Sequence, residues 1–298
     1  MPTIELDGVA IAYREAGEGA PVILLHSSAN SGRQWQALAE RLAPRHRVFS
    51  VDLHGYGESA GWHGRRAFAL ADEAAVVAAL ASRLDAPAHI VGHSYGGAVA
   101  LLSALWLERR AASLALIEPS AFFLLHDGDV ADSMLFHEIR AVADKVAAGA
   151  ECGDEHGAMA GFVDYWNGAG AWQALSPNAR SRLAPLARKV TLDFAALFNE
   201  TTRRAACRTM MAQTLVLRGT RSPAPARRIA EIVAGYVPEA VLREIEGAGH
   251  MLPLTHAEAV NARIVAHIAS AAAAAPRKAR SGLSGTRVST AAERNSHA

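Results

Sequence analysis

Val91-Gly92-His93-Ser94-Tyr95-Gly96-Gly97 decides how this chain is read. It follows a short apolar stretch, residues 89–91, that reads as the end of a buried strand, and it precedes 98–105, a run of good helix formers. A Gly-x-Ser-x-Gly set between strand and helix is a nucleophile elbow. The turn is so sharp that the serine backbone is strained. Small residues two before and two after the serine let strand and helix approach, and Gly92, Gly96 and Gly97 supply them. The expected product is a serine hydroxyl projecting at the top of a sheet, with the next backbone N–H and a helix N-terminus behind it. The competing reading is a Gly-rich loop with an incidental serine; the strand-turn-helix setting favours the catalytic one.

Outward from the elbow, residues 3–6 and 9–13 alternate apolar and polar around Asp7-Gly8, as in an antiparallel hairpin. Residues 22–25 form a continuous apolar run, as in a strand buried on both faces. Helical spacing over 32–42, a strand at 48–51 ending in Asp52, a helix over 67–84, a helix over 95–108 and a strand at 114–117 complete the first half. From 119 to about 211 no strand is evident, and helices are expected at 130–148, 156–165, 178–198 and around 203–210. The strand-helix rhythm resumes with 215–217, 224–234, 241–245 and 257–272. This predicts an α/β fold with a mostly parallel sheet and helices on both faces. Residues 1–118 and 212–275 would make the core. Residues 119–211 would make a helical lid, the alternative being a second helical layer with no gating role. Residues 276–298, rich in Ser, Thr, Gly, Arg and Ala, cannot form a core and read as a disordered tail.

A chain of 298 residues, 51% hydrophobic and 20% charged, suffices for one large α/β domain or a core with an insertion. The net charge of +1 argues against dedicated nucleic-acid binding. No apolar stretch is long enough to span a membrane, and the N-terminus has neither a basic n-region nor an apolar h-region. Cys152 and Cys207, the only cysteines, read as reduced thiols of a cytoplasmic protein.

A serine hydroxyl needs a general base, usually histidine, and a group that orients the base. Thirteen histidines are present, so position decides. Gly247-Ala248-Gly249-His250 directly follows the strand at 241–245, and that loop lies at the same C-terminal sheet edge as the elbow. His250 is therefore assigned as base.

With the elbow, Gly249-His250, the Leu24-Leu25-His26 strand end followed by Trp35, and Asp52-Leu53-His54-Gly55-Tyr56-Gly57-Glu58-Ser59, the chain resembles the α/β-hydrolase superfamily over nearly all its length except the tail. The resemblance implies an eight-stranded sheet with a lid after the sixth strand. It also implies an oxyanion hole from the backbone N–H groups of Tyr95 and Ser28. Relatives usually carry Gly where Ser27 stands, and Ser enters unusual backbone angles only at a cost. Most relatives place the acid just after the strand matching 215–217. Here that stretch reads Arg218-Gly219-Thr220-Arg221-Ser222-Pro223 and contains no carboxylate; Ser222 looks like a helix N-cap before a proline. Some members, certain haloalkane dehalogenases among them, take their acid from the strand after the nucleophile helix. That resemblance points to Glu118 at the exit of the strand at 114–117, with Glu244 and Glu246 as weaker candidates.

Aromatic and apolar residues of the lid, Phe122 and Trp166 among them, together with Ser27 and Met251, are expected to line a substrate pocket. Asp127-Gly128-Asp129-Val130-Ala131-Asp132 with Glu138 resembles a calcium loop, but it lacks an oxygen ligand at Ala131 and has Asp132 where the turn needs Gly. No metal and no cofactor is expected. The expected partner is a small-molecule substrate, with no nucleic acid and no membrane; a homodimer stays open. Serine at the elbow argues against dehalogenase chemistry, which needs a carboxylate nucleophile. Carboxylic ester hydrolysis through Ser94, His250 and Glu118 leads. C–C bond hydrolysis of a diketone-like catabolite, a small-molecule receptor without turnover, and peracid formation as a side activity are the alternatives.

Overall fold

A computed structural model describes residues 1–274; the tail reading for 276–298 lies outside them. The elements assemble into one eight-stranded sheet in the order β1-β2-β4-β3-β5-β6-β7-β8. β1 (Thr3–Leu6) and β2 (Val9–Ala16) form the antiparallel hairpin, and its turn residues Asp7 and Gly8 both have positive φ, as a tight two-residue hairpin turn requires. β2 runs antiparallel to β4 (His46–Val51). β3 (Ala20–Leu25), β4, β5 (Ala88–His93), β6 (Ala111–Ile117), β7 (Gln213–Gly219) and β8 (Val241–Ile245) are mutually parallel. The chain leaves β3 for β4 on one side and returns to β5 on the other. That reversal opens a crevice at the C-terminal ends of β3 and β5, where open parallel sheets bind ligands.

Two apolar layers clothe the sheet. One carries α1 (Gln36–Leu42), α10 (Leu252–Thr255) and α11 (Ala257–Ala274) through Leu38, Leu42, Leu252, Val260, Ile264 and Ile268. The other carries α2 (Leu70–Ser82), α3 (Tyr95–Leu107) and α9 (Ala224–Tyr236) through residues such as Val77, Leu101 and Ile229. α3 is apolar on every side, as a helix buried between the sheet and its neighbours must be.

Between β6 and β7 the chain forms helices and no strand: α4 (Val130–Cys152), α5 (Glu155–Asn167), α6 (Ala171–Ala174), α7 (Pro177–Leu183) and α8 (Ala187–Asn199), with 3-10 segments at Phe122–Asp127, Ala184–Leu186 and Arg204–Thr209. The helix expected over 178–198 is broken at 184–186. Pro185 is the cause: it has no N–H to donate and its ring crowds the preceding turn. The Ser-Pro start signal operates at Ser176-Pro177, where the Ser176 hydroxyl accepts from the Ala179 N–H at 3.2 Å.

The acidic segment before α4 has structural partners. Asp129 caps α4 by accepting from the Asp132 N–H at 3.0 Å. Asp127 accepts from Arg203 at 2.7 Å and from the Arg204 N–H at 2.9 Å. Asp132, 1% exposed, accepts from Arg204 Nη2 at 2.7 Å and from Arg228 Nε of α9 at 2.6 Å, so it fastens the helical insert to the core. Hydrogen bonds from Arg228, outweighing the opposing effect of burial, hold its pKa down at about 2, below the ordinary 3.8. A carboxylate with a depressed folded pKa stabilises fully above its unfolded pKa and loses that contribution as pH falls through the folded one. Asp132→Ala should cost about 3 kcal/mol at neutral pH, because it strands buried Arg204. Thermal unfolding of both proteins should show the gap narrowing as pH falls from about 4 to about 2.

Candidate active site

The parallel register lines up the strand ends. Gly92 pairs with both Leu25 and Leu116, His93 with Ile117, and Ile117 with Leu217. The residues that follow these ends therefore converge on one spot above the sheet. Ser94 turns the chain from β5 into α3 at φ 55°, ψ −118°, a strained conformation for a side-chain-bearing residue. Glycine is required on both flanks. A Cβ on Gly92 would stand 2.2 Å from the Gly96 carbonyl oxygen, and one on Gly96 would stand 2.4 Å from that of His26.

Ser94 Oγ lies 2.9 Å from His250 Nε2, and His250 Nδ1 lies 2.7 Å from Glu118 Oε2. All three side chains are buried. Glu118 has φ 45°, so the turn off β6 is strained as well, and its N–H is held by the Leu217 carbonyl at 2.9 Å. Its second oxygen, Oε1, accepts from the Gly219 N–H at 2.7 Å and from the Ser222 hydroxyl. Ser222 is thus not the cap of α9, which begins at Ala224 after Pro223. The Ser222 hydroxyl is directed at the Glu118 carboxylate instead, to which it donates a charge-assisted hydrogen bond. The loop that lacks a carboxylate supplies two donors to the carboxylate just past β6. Glu244 and Glu246 are exposed; Glu244 pairs with Arg218 and Glu246 accepts from Thr220, so neither meets His250.

Two buried networks that sequence reasoning missed frame this line. In the first, Gln34 Oε1 accepts from the Ser27 N–H at 3.1 Å and the Ser27 hydroxyl at 2.9 Å. Its amide nitrogen donates to His93 Nδ1 at 3.1 Å, and His93 Nε2 donates to the His250 carbonyl at 2.9 Å. Burial, helped by nearby His250, holds the His93 pKa well below its ordinary 6.5, so the ring is neutral and this tautomer is fixed by its partners. The backbone cost expected at Ser27 falls elsewhere: Ala29 is the loop residue with positive φ, at 57°.

The second network joins the insert to the loop after β3. Asp193 of α8 accepts through Oδ2 from the Ser28 hydroxyl at 2.5 Å and the Tyr56 hydroxyl at 2.6 Å, and pairs through Oδ1 with Lys189. Lys189 also approaches Glu73 at 3.6 Å, and Glu73 Oε2 lies 2.9 Å from His54 Nδ1. Ser28 and Asp193 are 165 residues apart, so no local sequence signal could have paired them. Ser120, two residues past Glu118, places its Oγ 3.1 Å from that of Ser94 and was also missed.

The remaining expected residues surround the same point. Tyr95 and Phe122 line a small cavity at Ser94, Ser27 and Met251 line a larger one, and Ser28 borders both. Trp166 borders both and stacks on the His250 ring with centroids 4.0 Å apart. Tyr95 opens α3, where a helix leaves its N–H groups without internal partners. Among the described residues no cluster of three or more His, Cys, Asp or Glu side chains has the makings of a metal site, and no helix is long and apolar enough to cross a membrane.

This architecture is that of the α/β hydrolases, and a family model described as the alpha/beta hydrolase family matches residues 22–263. The chain belongs to that family. It is similar to the pimeloyl-[acyl-carrier protein] methyl ester esterase of Aliivibrio salmonicida, at 30% identity over 119 residues, 40% of this chain. The match spans only 43% of that relative's length. Among solved structures, an alpha/beta hydrolase from Sphaerobacter thermophilus shares the fold at TM-score 0.67 and 23% identity, covering 89% of this chain and 99% of the other. The enol-lactonase of Burkholderia xenovorans shares it at TM-score 0.71 and 18% identity, covering 90% and 100%.

Proposed function

We propose that this chain hydrolyses a carboxylic ester of a small, largely apolar substrate through an acyl-enzyme, with Ser94, His250 and Glu118 as its triad. The observation that carries the reading is the unbroken line from Ser94 Oγ through both nitrogens of His250 to the Glu118 carboxylate. The esterase named among its relatives supports the choice of an ester bond. Ser94 Oγ attacks the acyl carbon while His250 Nε2 takes its proton. Glu118 holds the Nδ1–H tautomer and stabilises the imidazolium. The N–H groups of Ser28 and Tyr95 receive the oxyanion. As the tetrahedral species collapses, His250 gives the proton to the departing alkoxide. Water, deprotonated by the same nitrogen, then attacks the acyl-enzyme and releases the acid and Ser94. The insert serves as lid and pocket wall. A cytoplasmic setting belongs to the same reading, since exposed Cys152 and buried Cys207 are both unpaired thiols.

The test pairs active-site labelling with turnover. A fluorophosphonate should label Ser94 stoichiometrically, and p-nitrophenyl acetate should turn over many times per protein. Labelling without turnover of any ester would overturn the esterase reading in favour of a receptor.

Asp193 fixes the Ser28 loop from outside the triad. Asp193→Asn turns an N–H₂ or a weaker acceptor toward two hydroxyls and leaves Lys189 poorly paired. A loop misplaced on this scale should lower kcat by about 10²-fold. KM should change little, since the oxyanion contact forms in the transition state. Steady-state kinetics beside a melting curve would separate this from simple loss of folded protein.

A further inference from the structure

The proposed mechanism divides the space around Ser94. His250 must reach the departing alcohol oxygen, so the alcohol lies on the His250 side. The acyl substituent lies on the opposite side, beyond the oxyanion N–H groups. These two sides are very unequal. The cavity bordered by both Ser94 and His250, which also reaches Ser28, has a volume of about 350 Å³ and is walled by apolar groups including Val163, Leu175, Leu183, Met251 and Leu254. The cavity that touches Ser94, Tyr95 and Ser120 but not His250 has about 10 Å³. That is the room of about one water molecule, or one methyl group.

The small side is closed by Phe122, Phe162, Phe194 and Leu197. Its wall is tightly packed. Phe194 packs against both Phe122 and Phe198, with centroids 6.3 Å and 5.7 Å away, those two rings being 6.0 Å from each other, and Leu197 is 2% exposed. Phe194 and Leu197 lie on α8 with Asp193, whose bonds to Ser28 and Tyr56 keep that helix from withdrawing.

We infer that the site takes esters of an acetyl-sized acid with a larger apolar alcohol, and that Phe194 and Leu197 set the permitted acyl length. The inference rests on the esterase reading and deepens it.

Hexyl acetate and methyl heptanoate test it directly, because they are constitutional isomers that exchange the large and small halves of the ester. The protein should favour hexyl acetate by at least about 10-fold in kcat/KM, the discrimination a single misfitting methylene already produces. Leu197→Ala should raise kcat/KM for p-nitrophenyl butyrate relative to p-nitrophenyl acetate by about 10-fold. Equal or reversed preference between the isomers would overturn the inference while leaving the esterase reading intact. A butyrate-to-acetate ratio unchanged in a folded Leu197→Ala protein would overturn the assignment of the wall. Failure to hydrolyse any of these esters would overturn the esterase reading, and the acyl-size inference with it.

Discussion

Replacing Ser94 with alanine should lower kcat for p-nitrophenyl acetate by about 10⁶-fold, on the scale seen when a serine hydrolase loses its nucleophile. The side chain that remains cannot form an acyl-enzyme. What survives is binding and oxyanion stabilisation, which still accelerate attack by water about 10³-fold over the uncatalysed reaction. Folding should not suffer. Ser94 Oγ bonds only to His250 and Ser120 among the described residues, and the strained backbone is held by its neighbours, Ser94 N–H to the Ile117 carbonyl at 3.0 Å and Gly97 N–H to the Ser94 carbonyl at 2.9 Å. Stopped-flow assay with an ester, beside a melting curve, reads both. A loss of less than about 10²-fold with loss of fluorophosphonate labelling would move the chemistry away from this serine.

Glu118→Gln should lower kcat by about 10⁴-fold. The amide keeps the shape but reverses the electrostatics. Its oxygen can still accept from Gly219 and Ser222, which turns the NH₂ toward His250 Nδ1. The ring is then driven to the tautomer with hydrogen on Nε2, and Nε2 can no longer accept the Ser94 proton. The Ser222 position offers a rescue, since its hydroxyl already touches the Glu118 carboxylate. Glu118→Gln combined with Ser222→Asp should recover part of the loss. Glu244→Gln should leave kcat near that of the unaltered protein, because Glu244 is paired with Arg218 away from the histidine. Equal losses at Glu118 and Glu244 would remove Glu118 from the role assigned to it.

The legible parts of the site are those written in a few adjacent residues. The elbow needs its glycines at fixed distance from Ser94, because strand and helix nearly touch there, and this leaves a local mark. His250 follows a recognisable strand through a small-residue loop. Glu118 is legible as the leading carboxylate of three, from its place at a strand exit and from the family resemblance. What distinguishes it is the parallel register, which sets Ile117 beside both His93 and Leu217 and so brings the residue after it level with the elbow. Ser222 has the sequence context of a helix start, Ser before Pro, yet it does not cap α9. Its hydroxyl donates instead to a buried carboxylate just past β6, 104 residues earlier in the chain.

The sequence by itself determined the alternation of buried strands and covering helices, the helical insert, the elbow and the loop that bears His250. These follow from periodicity and from steric demands between near neighbours, which short-range patterns record. Tertiary structure alone decided that Glu118, rather than Glu244 or Glu246, contacts His250, that Gln34 and His93 tie the Ser27 loop to His250, and that Asp193 locks the insert onto Ser28. It also decided how unevenly the space around Ser94 is divided. Each of these depends on side chains that are brought together by sheet register and helix docking across tens to more than a hundred residues. Hydrogen bonds and packing of that kind act through a few ångströms of space and leave no periodic trace along the chain.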